Sequence, residues 1–165
     1  MTKTGSWLAL AALIVVADQV TKYAVVQYFA VNHTVAVTSF LNLLLVYNPG
    51  AAFSFLSDAA GWQRWFFVSI ALIASAWIVY LLREYPNQRL FALALSLVLA
   101  GALGNVIDRI LFGAVVDFLD FHAYGWHWPA FNVADSAITC GALLLIWDAV
   151  RPRKKSNPTA ETQRR

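Results

Sequence analysis

Two aspartates stand at positions where a carboxylate is costly. Asp117 lies inside the apolar run 114–121 (AVVDFLDF), and Asp135 opens the last apolar stretch of the chain. Two carboxylates brought close together in a poorly hydrated site cannot both ionise cheaply, so they share a proton and titrate as a coupled pair. One member of such a pair can take a proton from water while the other protonates or polarises a substrate carbonyl. An ion-coordinating or proton-relay role and simple interfacial capping are the alternatives.

Four further ionisable residues adjoin apolar stretches, where each charge costs about 2.5 to 3.5 kcal/mol at a helix centre. Asp18 and Lys22 stand four residues apart with the acid first, which places them on one helix face in the favourable order. They are expected to form a self-neutralising pair near the outer end of the first helix, with direct chemistry as the alternative. Asp108 and Arg109 are expected to form an interfacial pair at the end of the third helix.

Three asparagines, Asn48, Asn105 and Asn132, each lie at the outer end of an element beside Gly, Pro or Asp. Small neighbours let polar side chains and backbone approach one another, as irregular structure at membrane depth requires. Turn or cap chemistry is the alternative explanation for them. A metal site is not expected, because the three histidines have no partnering spacing, neither HExxH nor paired cysteines occur, and Cys140 is the single cysteine.

The elements that must position these residues follow from composition. The 165 residues are 60% hydrophobic and 13% charged, whereas soluble domains average about 25% charged residues. Runs long enough to cross about 30 Å of hydrocarbon predict four transmembrane helices over 7–26, 65–82, 90–107 and 134–150. The first run also resembles a cleavable signal peptide, but its apolar character continues past Asp18, which favours a membrane anchor.

Basic residues predict the orientation. Nine of the 12 Lys and Arg residues lie near the N-terminus, in the short loop between the second and third spans, and in the tail. The positive-inside rule therefore predicts cytoplasmic termini and outward-facing loops at 29–64 and 108–133. Residues 1–150 are expected to form a single membrane-embedded domain. The basic tail at 151–165 is expected to be disordered, cytoplasmic and suited to an anionic inner leaflet rather than nucleic acid.

The two outer loops carry patterns of their own. Residues 34–47 and 114–121 are rich in β-branched and aromatic residues, which predicts short strands of a small outward-facing sheet. Residues 50–62 are expected to form a short interfacial helix. Four tryptophans, at 62, 65, 126 and 128, fit an outer aromatic belt. The predicted fold class is an all-α integral membrane protein with four transmembrane helices and this small sheet.

Five segments in order resemble the lipoprotein signal peptidase (signal peptidase II) family. They are DQVTK at 18–22, NPGAAFS at 48–54, GALGNVIDR at 101–109, VVDF at 115–118 and FNVADSAI at 131–138. The resemblance spans the chain from the first helix to the fourth and excludes only the tail.

The resemblance implies a multi-pass aspartyl endopeptidase of the bacterial cytoplasmic (inner) membrane, with its active site near the outer, periplasmic face. Members of the family remove the signal peptide from prolipoproteins, cutting before a diacylglyceryl-modified cysteine. Asp117 and Asp135 would be catalytic. The residues expected to support them or bind substrate are Asp18, Lys22, Asn48, Gly50, Asn105, Asp108, Arg109 and Asn132. The family also implies an outward-facing β-cradle with a short helix over the site, lipidated precursors and membrane lipid as partners, and neither a metal nor an organic cofactor. A monomer is expected because nothing in the sequence demands a dimer.

A small ion or proton transporter is the competing class, with the same carboxylates lining a pathway. It is disfavoured because the ionisable residues gather toward one side and the second and third spans are uncharged. A non-enzymatic scaffold would leave the costly carboxylates unexplained.

Overall fold

Four long helices dominate the computed structural model, which describes residues 2–50 and 61–151. They are α1 (Lys3–Tyr28), α2 (Trp62–Glu84), α3 (Arg89–Phe112) and α4 (Val133–Val150). Each is long and apolar enough to cross a membrane, so the four predicted spans are confirmed. The predicted orientation of the termini stays a prediction.

Two predicted boundaries were wrong. The helix α3 continues to Phe112, so Asp108 and Arg109 lie within it rather than in a loop starting at 108, and Arg64 belongs to α2. Hydropathy ends a predicted span at the first charge, whereas the backbone hydrogen-bond ladder continues wherever the charge finds a partner. The helix stops at Gly113, whose φ of 80° gives the left-handed conformation common at helix ends.

The central helix of the bundle is α3. About 56% of its most apolar window is buried, against 22% for each of the other three helices, and it contacts all three. Small residues allow this close approach, as is common between membrane helices. A Cβ on Gly101 would collide with the carbonyl of Ala134, and one on Gly141 would lie 2.7 Å from the carbonyl of Ala94.

A four-stranded antiparallel sheet lies where α1 and α3 end and α4 begins. Its strands, in spatial as well as chain order, are β1 (Thr34–Ala36), β2 (Leu41–Asn48), β3 (Val115–Ala123) and β4 (Trp126–His127). The pairing of β2 with β3 runs from Leu41 opposite Phe121 to Asn48 opposite Val115. The strands predicted from 34–47 and 114–121 are therefore confirmed.

One face of the sheet packs on the bundle through a small apolar core of Val25, Leu45, Val116 and Phe118. The tight β3–β4 turn has positive φ at both Tyr124 and Gly125, as hairpin turns of this type require. Most of the helix predicted at 50–62 falls at 51–60, outside the described residues, and Trp62 belongs to α2. The predicted tail also lies outside them beyond Arg151.

Candidate active site

The fold brings the two predicted aspartates into one site. Asp117 projects from β3, and Asp135 lies in the first turn of α4. Asn132, the fully buried N-cap of α4, contacts both of them. Its Nδ2 donates to Asp117 Oδ1 at 2.7 Å, its backbone N–H donates to Asp135 Oδ2 at 3.3 Å, and its Oδ1 accepts from the Asp135 backbone N–H at 2.9 Å. Asn132 is thus both a helix cap and the link between the carboxylates.

The other two predicted asparagines hold the remaining carboxylate oxygens. Asn48 donates from Nδ2 to Asp117 Oδ2 at 2.9 Å, and Asn105 donates from Nδ2 to Asp135 Oδ1 at 2.8 Å. The Oδ1 of Asn48 accepts from the Gly50 backbone N–H at 2.9 Å. Gly50 has φ of 104°, and a Cβ there would lie 2.6 Å from the ring of Phe67. A glycine is therefore needed to form the turn that orients Asn48.

The two carboxyl groups have unequal surroundings. Asp117 is 2% exposed, whereas Asp135 is half-buried. Burial raises the pKa of Asp117 to about 7, with a further rise from the charge of Asp135, and the hydrogen bonds from Asn48 and Asn132 oppose both effects. Asp117 therefore exchanges its proton near neutral pH, while Asp135 is the carboxyl group that solvent reaches more easily.

Lys22 lies at the centre of a buried ionic cluster beneath the aspartates. Its Nζ is 2.9 Å from Asp18 Oδ2 and 2.7 Å from Asp108 Oδ2, and it donates to Asn105 Oδ1 at 3.1 Å. All three side chains of the ion pairs are at most 3% exposed. The three acceptors match the three N–H groups of an ammonium ion. All three donors of Lys22 are therefore used within the cluster, and none is left for a substrate.

The cluster confirms one sequence-based expectation and corrects another. The predicted pair of Asp18 and Lys22 exists, but Asp108 completes it. The predicted pair of Asp108 and Arg109 is replaced by the contact between Asp108 and Lys22. Consecutive residues point about 100° apart around a helix, so Asp108 and Arg109 cannot share one face of α3.

Both acids of the cluster also hold the backbone next to a site aspartate. Asp18 Oδ1 accepts from the Ala134 N–H at 2.8 Å, directly before Asp135. Asp108 Oδ2 accepts from the Val116 N–H at 3.1 Å, directly before Asp117. The cluster thereby fixes the positions at which β3 and α4 present their carboxylates.

Two features of the site escaped sequence reasoning. Gln19 Nε2 lies within 3.0 to 3.2 Å of Asp108 Oδ1, Asp18 Oδ2 and the Gly104 carbonyl, so it joins α1 to α3. The sequence feature that could have identified Gln19 is its position next to Asp18, as a polar amide inside an apolar span. Gly104 allows this contact, because a Cβ there would lie 2.6 Å from Asp18 Oδ2.

Arg109 lies at the side of the site that faces α2. Its Nη1 donates to the Asn105 carbonyl at 3.2 Å, and its guanidinium lies 5.1 Å from the ring centroid of Phe67, a cation–π distance. It is also attracted electrostatically by Asp135, Asp108 and Asp117. Within residues 2–50 and 61–151, no three His, Cys, Asp or Glu side chains are grouped so that they could hold a metal ion.

Residues 10–151 match the family model described as Signal peptidase (SPase) II. The chain belongs to the signal peptidase II family. The five motifs from which the resemblance was drawn all lie within the matched range, so the recognition from sequence is confirmed.

Relatives are similar to this chain in sequence and in structure over most of its length. The lipoprotein signal peptidase of Janthinobacterium sp. (strain Marseille) is 57% identical over 145 residues, which cover 88% of each chain. That of Burkholderia vietnamiensis is 58% identical over 145 residues, which cover 88% of this chain and 87% of the relative. A solved bacterial membrane enzyme, obtained by the in meso method, superposes with a TM-score of 0.79 at 37% identity, covering 90% of this chain and 95% of the other.

Family membership makes the chain a membrane-embedded protease, and the fold of the solved enzyme matches its four helices and small sheet. The transporter and scaffold alternatives are thereby set aside.

Proposed function

We propose that this signal peptidase II is an aspartic endopeptidase that removes the signal peptide from prolipoproteins, cutting before the diacylglyceryl-modified cysteine. The observation that carries the proposal is the convergence of Asp117 and Asp135 on Asn132, which contacts both carboxyl groups. The lipoprotein signal peptidases to which the chain is 57% and 58% identical support the substrate class.

The surroundings of the two carboxyl groups favour different protonation states. Asp117 is almost fully buried and has a pKa near 7, so it holds a proton in the active form. Asp135 lies in the first turn of α4, where the Asn132 N–H donates to its Oδ2 and the helix dipole stabilises a negative charge. Asp135 is therefore the ionised partner and the general base.

The reaction then proceeds with a balanced transfer of protons. Asp135 takes a proton from water as the oxygen attacks the scissile carbonyl, and Asp117 gives its proton to the carbonyl oxygen. The tetrahedral intermediate collapses when the proton on Asp135 passes to the leaving amine and Asp117 regains a proton from a hydroxyl of the intermediate. Both carboxyl groups return to their starting states.

The remaining polar residues act as positioning groups. Asn48 and Asn105 fix the outer oxygens of the two carboxyl groups. Asp18 and Asp108 fix the adjoining backbone, and Lys22 neutralises these two acids. Preorganised groups of this kind need no rearrangement as charge develops in the transition state.

The position of the site suits a lipid-modified substrate. Asp135 lies in the first turn of a membrane-spanning helix, so the dyad sits near the membrane surface. A cysteine anchored by acyl chains has its scissile bond at the same depth, with the acyl chains and the signal helix in the bilayer. We propose that the enzyme lies in the bacterial cytoplasmic membrane as a monomer, with the site on the periplasmic side and both termini cytoplasmic.

The test is cleavage of a diacylglyceryl-modified precursor peptide by the purified full-length protein. Asp117→Asn and Asp135→Asn should each lower kcat by at least about a thousandfold, as loss of a group that acts directly in the chemistry does. Asp148→Asn is the matched control, because Asp148 lies at the opposite end of α4 and pairs with Arg151. It should cleave normally. Full processing by either dyad variant would remove the assignment.

A peptide without the diacylglyceryl group tests the substrate class. It should be cleaved poorly, and equal turnover of the two forms would contradict the proposed specificity.

A further inference from the structure

An aromatic groove opens at the free end of the sheet. It has a volume of about 470 Å³, and Phe121 stacks between Phe40 at 6.2 Å and Phe131 at 5.8 Å between ring centroids. Contiguous exposed apolar surface of this kind commonly marks an interaction site. The residues that define the aromatic groove are Phe40, Phe121, His122, Trp126, Trp128 and Phe131.

The groove and the proposed active site share one strand of the sheet, β3. Alternate residues of a strand share a face, so Asp117, Leu119 and Phe121 project from the same side of β3. At about 3.3 Å per residue, Phe121 lies about 13 Å along the strand from Asp117. The irregularity in the pairing lies between Leu43 and Val46 on β2, where two residues face one residue of β3, so β3 keeps its alternation.

A second connection runs through the segment that leads into α4. Phe131 bridges to Leu119 of β3 by two backbone hydrogen bonds of 2.9 and 3.1 Å. The next residue is Asn132, which contacts both carboxyl groups of the dyad. One wall of the groove, at Phe131, is therefore one residue away from the side chain that contacts both aspartates.

We propose that the aromatic groove binds the part of the precursor that follows the lipid-modified cysteine, about four to six residues beyond the cleaved bond. The inference rests on the proposed function. A bound precursor has three parts, and two of them, the signal helix and the acyl chains, are held by the bilayer. Only the segment after the cysteine leads away from the membrane.

The strand β3 runs away from the helix bundle, in the direction that this segment of the precursor must take. The strand starts against the bundle, where the Val116 N–H donates to Asp108, and ends at Ala123, directly before the fully exposed Tyr124. An extended peptide advances about 3.3 Å per residue, so four residues from the dyad bring it to Phe121. Trp126 and Trp128, both more than half exposed, flank that point.

The lining defines what the groove selects. Its exposed surface is almost entirely apolar, and His122 is the one ionisable side chain among the described residues that line it. Aromatic grooves bind extended segments that offer proline or other apolar side chains. A charged side chain would lose its hydration against a largely aromatic surface. We expect apolar residues or proline at these positions of the precursor to strengthen binding.

The hairpin of β3 and β4, which leads to Trp126 and Trp128, is held in place by contacts of Asp120, the residue before Phe121. His127 Nδ1 lies 2.9 Å from Asp120 Oδ1, and Asn42 donates to Asp120 Oδ2 at 2.8 Å. These contacts tie β4 to β2 and β3 and keep the groove formed before the substrate arrives, which limits the entropy lost on binding.

The experiment compares three diacylglyceryl-modified peptides that share one cleavage site. The first has proline and leucine four to six residues after the bond, the second has aspartates there, and the third ends two residues after the bond. For the first peptide, Trp128→Ala should raise KM about tenfold with kcat unchanged. For the third peptide, KM should be the same in the variant and the wild type. The wild type should bind the second peptide more weakly than the first.

Trp147→Ala is the control, because Trp147 is an equally exposed tryptophan near the other end of α4. It should leave all three KM values unchanged. An equal rise in KM for the first and third peptides in Trp128→Ala would overturn the proposal and identify the groove as a bilayer anchor. Cleavage of the third peptide confirms that the variant is folded. Failure of the wild type to cleave any of the three peptides would instead refute the proposed function.

Discussion

Replacing Lys22 by methionine tests the buried ionic cluster most directly. Methionine has nearly the length of lysine without its charge, so packing is largely kept while Asp18 and Asp108 lose their counter-ion. The two N–O distances are 2.9 and 2.7 Å, and both carboxylates are fully buried. Removing one partner of a buried ion pair costs about 3 to 5 kcal/mol, because the buried charge left behind has no counter-ion.

The expected loss lies at the upper end of that range. Lys22 neutralises two carboxylates rather than one, so we expect Lys22→Met to lower the free energy of unfolding by about 5 kcal/mol. Folded domains are stable by about 5 to 15 kcal/mol in total, so a change of this size is readily measured. The assay is equilibrium unfolding in detergent, with the midpoint and slope determined for each variant.

The triple variant Asp18→Asn, Lys22→Met, Asp108→Asn separates charge from packing. Each asparagine keeps an oxygen that can accept from Ala134 or Val116, so the neutral cluster should recover most of the lost stability. Lys3→Met is the matched control on the same helix, where the lysine is exposed, and it should cost less than about 0.5 kcal/mol. The reasoning is refuted if Lys22→Met costs less than about 1 kcal/mol, or if the triple variant is less stable than Lys22→Met.

The pKa of Asp117 and the crowding at Gly104 lead to two further predictions. Because Asp117 must hold its proton to act as the acid and its pKa is about 7, kcat/KM should be highest below that pH and fall about tenfold per unit above it. A pH–rate profile that keeps rising from pH 7 to 9 would contradict this assignment. At Gly104 a Cβ would lie 2.6 Å from Asp18 Oδ2, so Gly104→Ala should destabilise the fold by about 1 to 3 kcal/mol, and thermal unfolding that matches the wild type would refute it.

The sequence alone predicted the parts of the fold that depend on local pattern. The apolar runs indicated four spans because a membrane helix needs about 20 apolar residues and satisfies its own backbone hydrogen bonds. Alternation and β-branched residues indicated the strands. Asp117 and Asp135 attracted attention because a carboxylate in an apolar run carries a high cost, which functional residues commonly bear.

Only the tertiary structure determined which residues form ion pairs and hydrogen bonds with one another. Asp108 binds Lys22 rather than the adjacent Arg109, since helix geometry turns neighbouring residues to different faces and packing selects which face meets α1. Asn132 reaches Asp117 because β3 is placed beside the start of α4, a contact across 15 residues of chain. Gln19, Gly104 and the aromatic groove likewise acquire their roles from elements distant in the chain. The pattern of residue types determines which elements form, whereas the packing of those elements determines which polar groups meet, because a buried polar group takes the partner that geometry brings within reach.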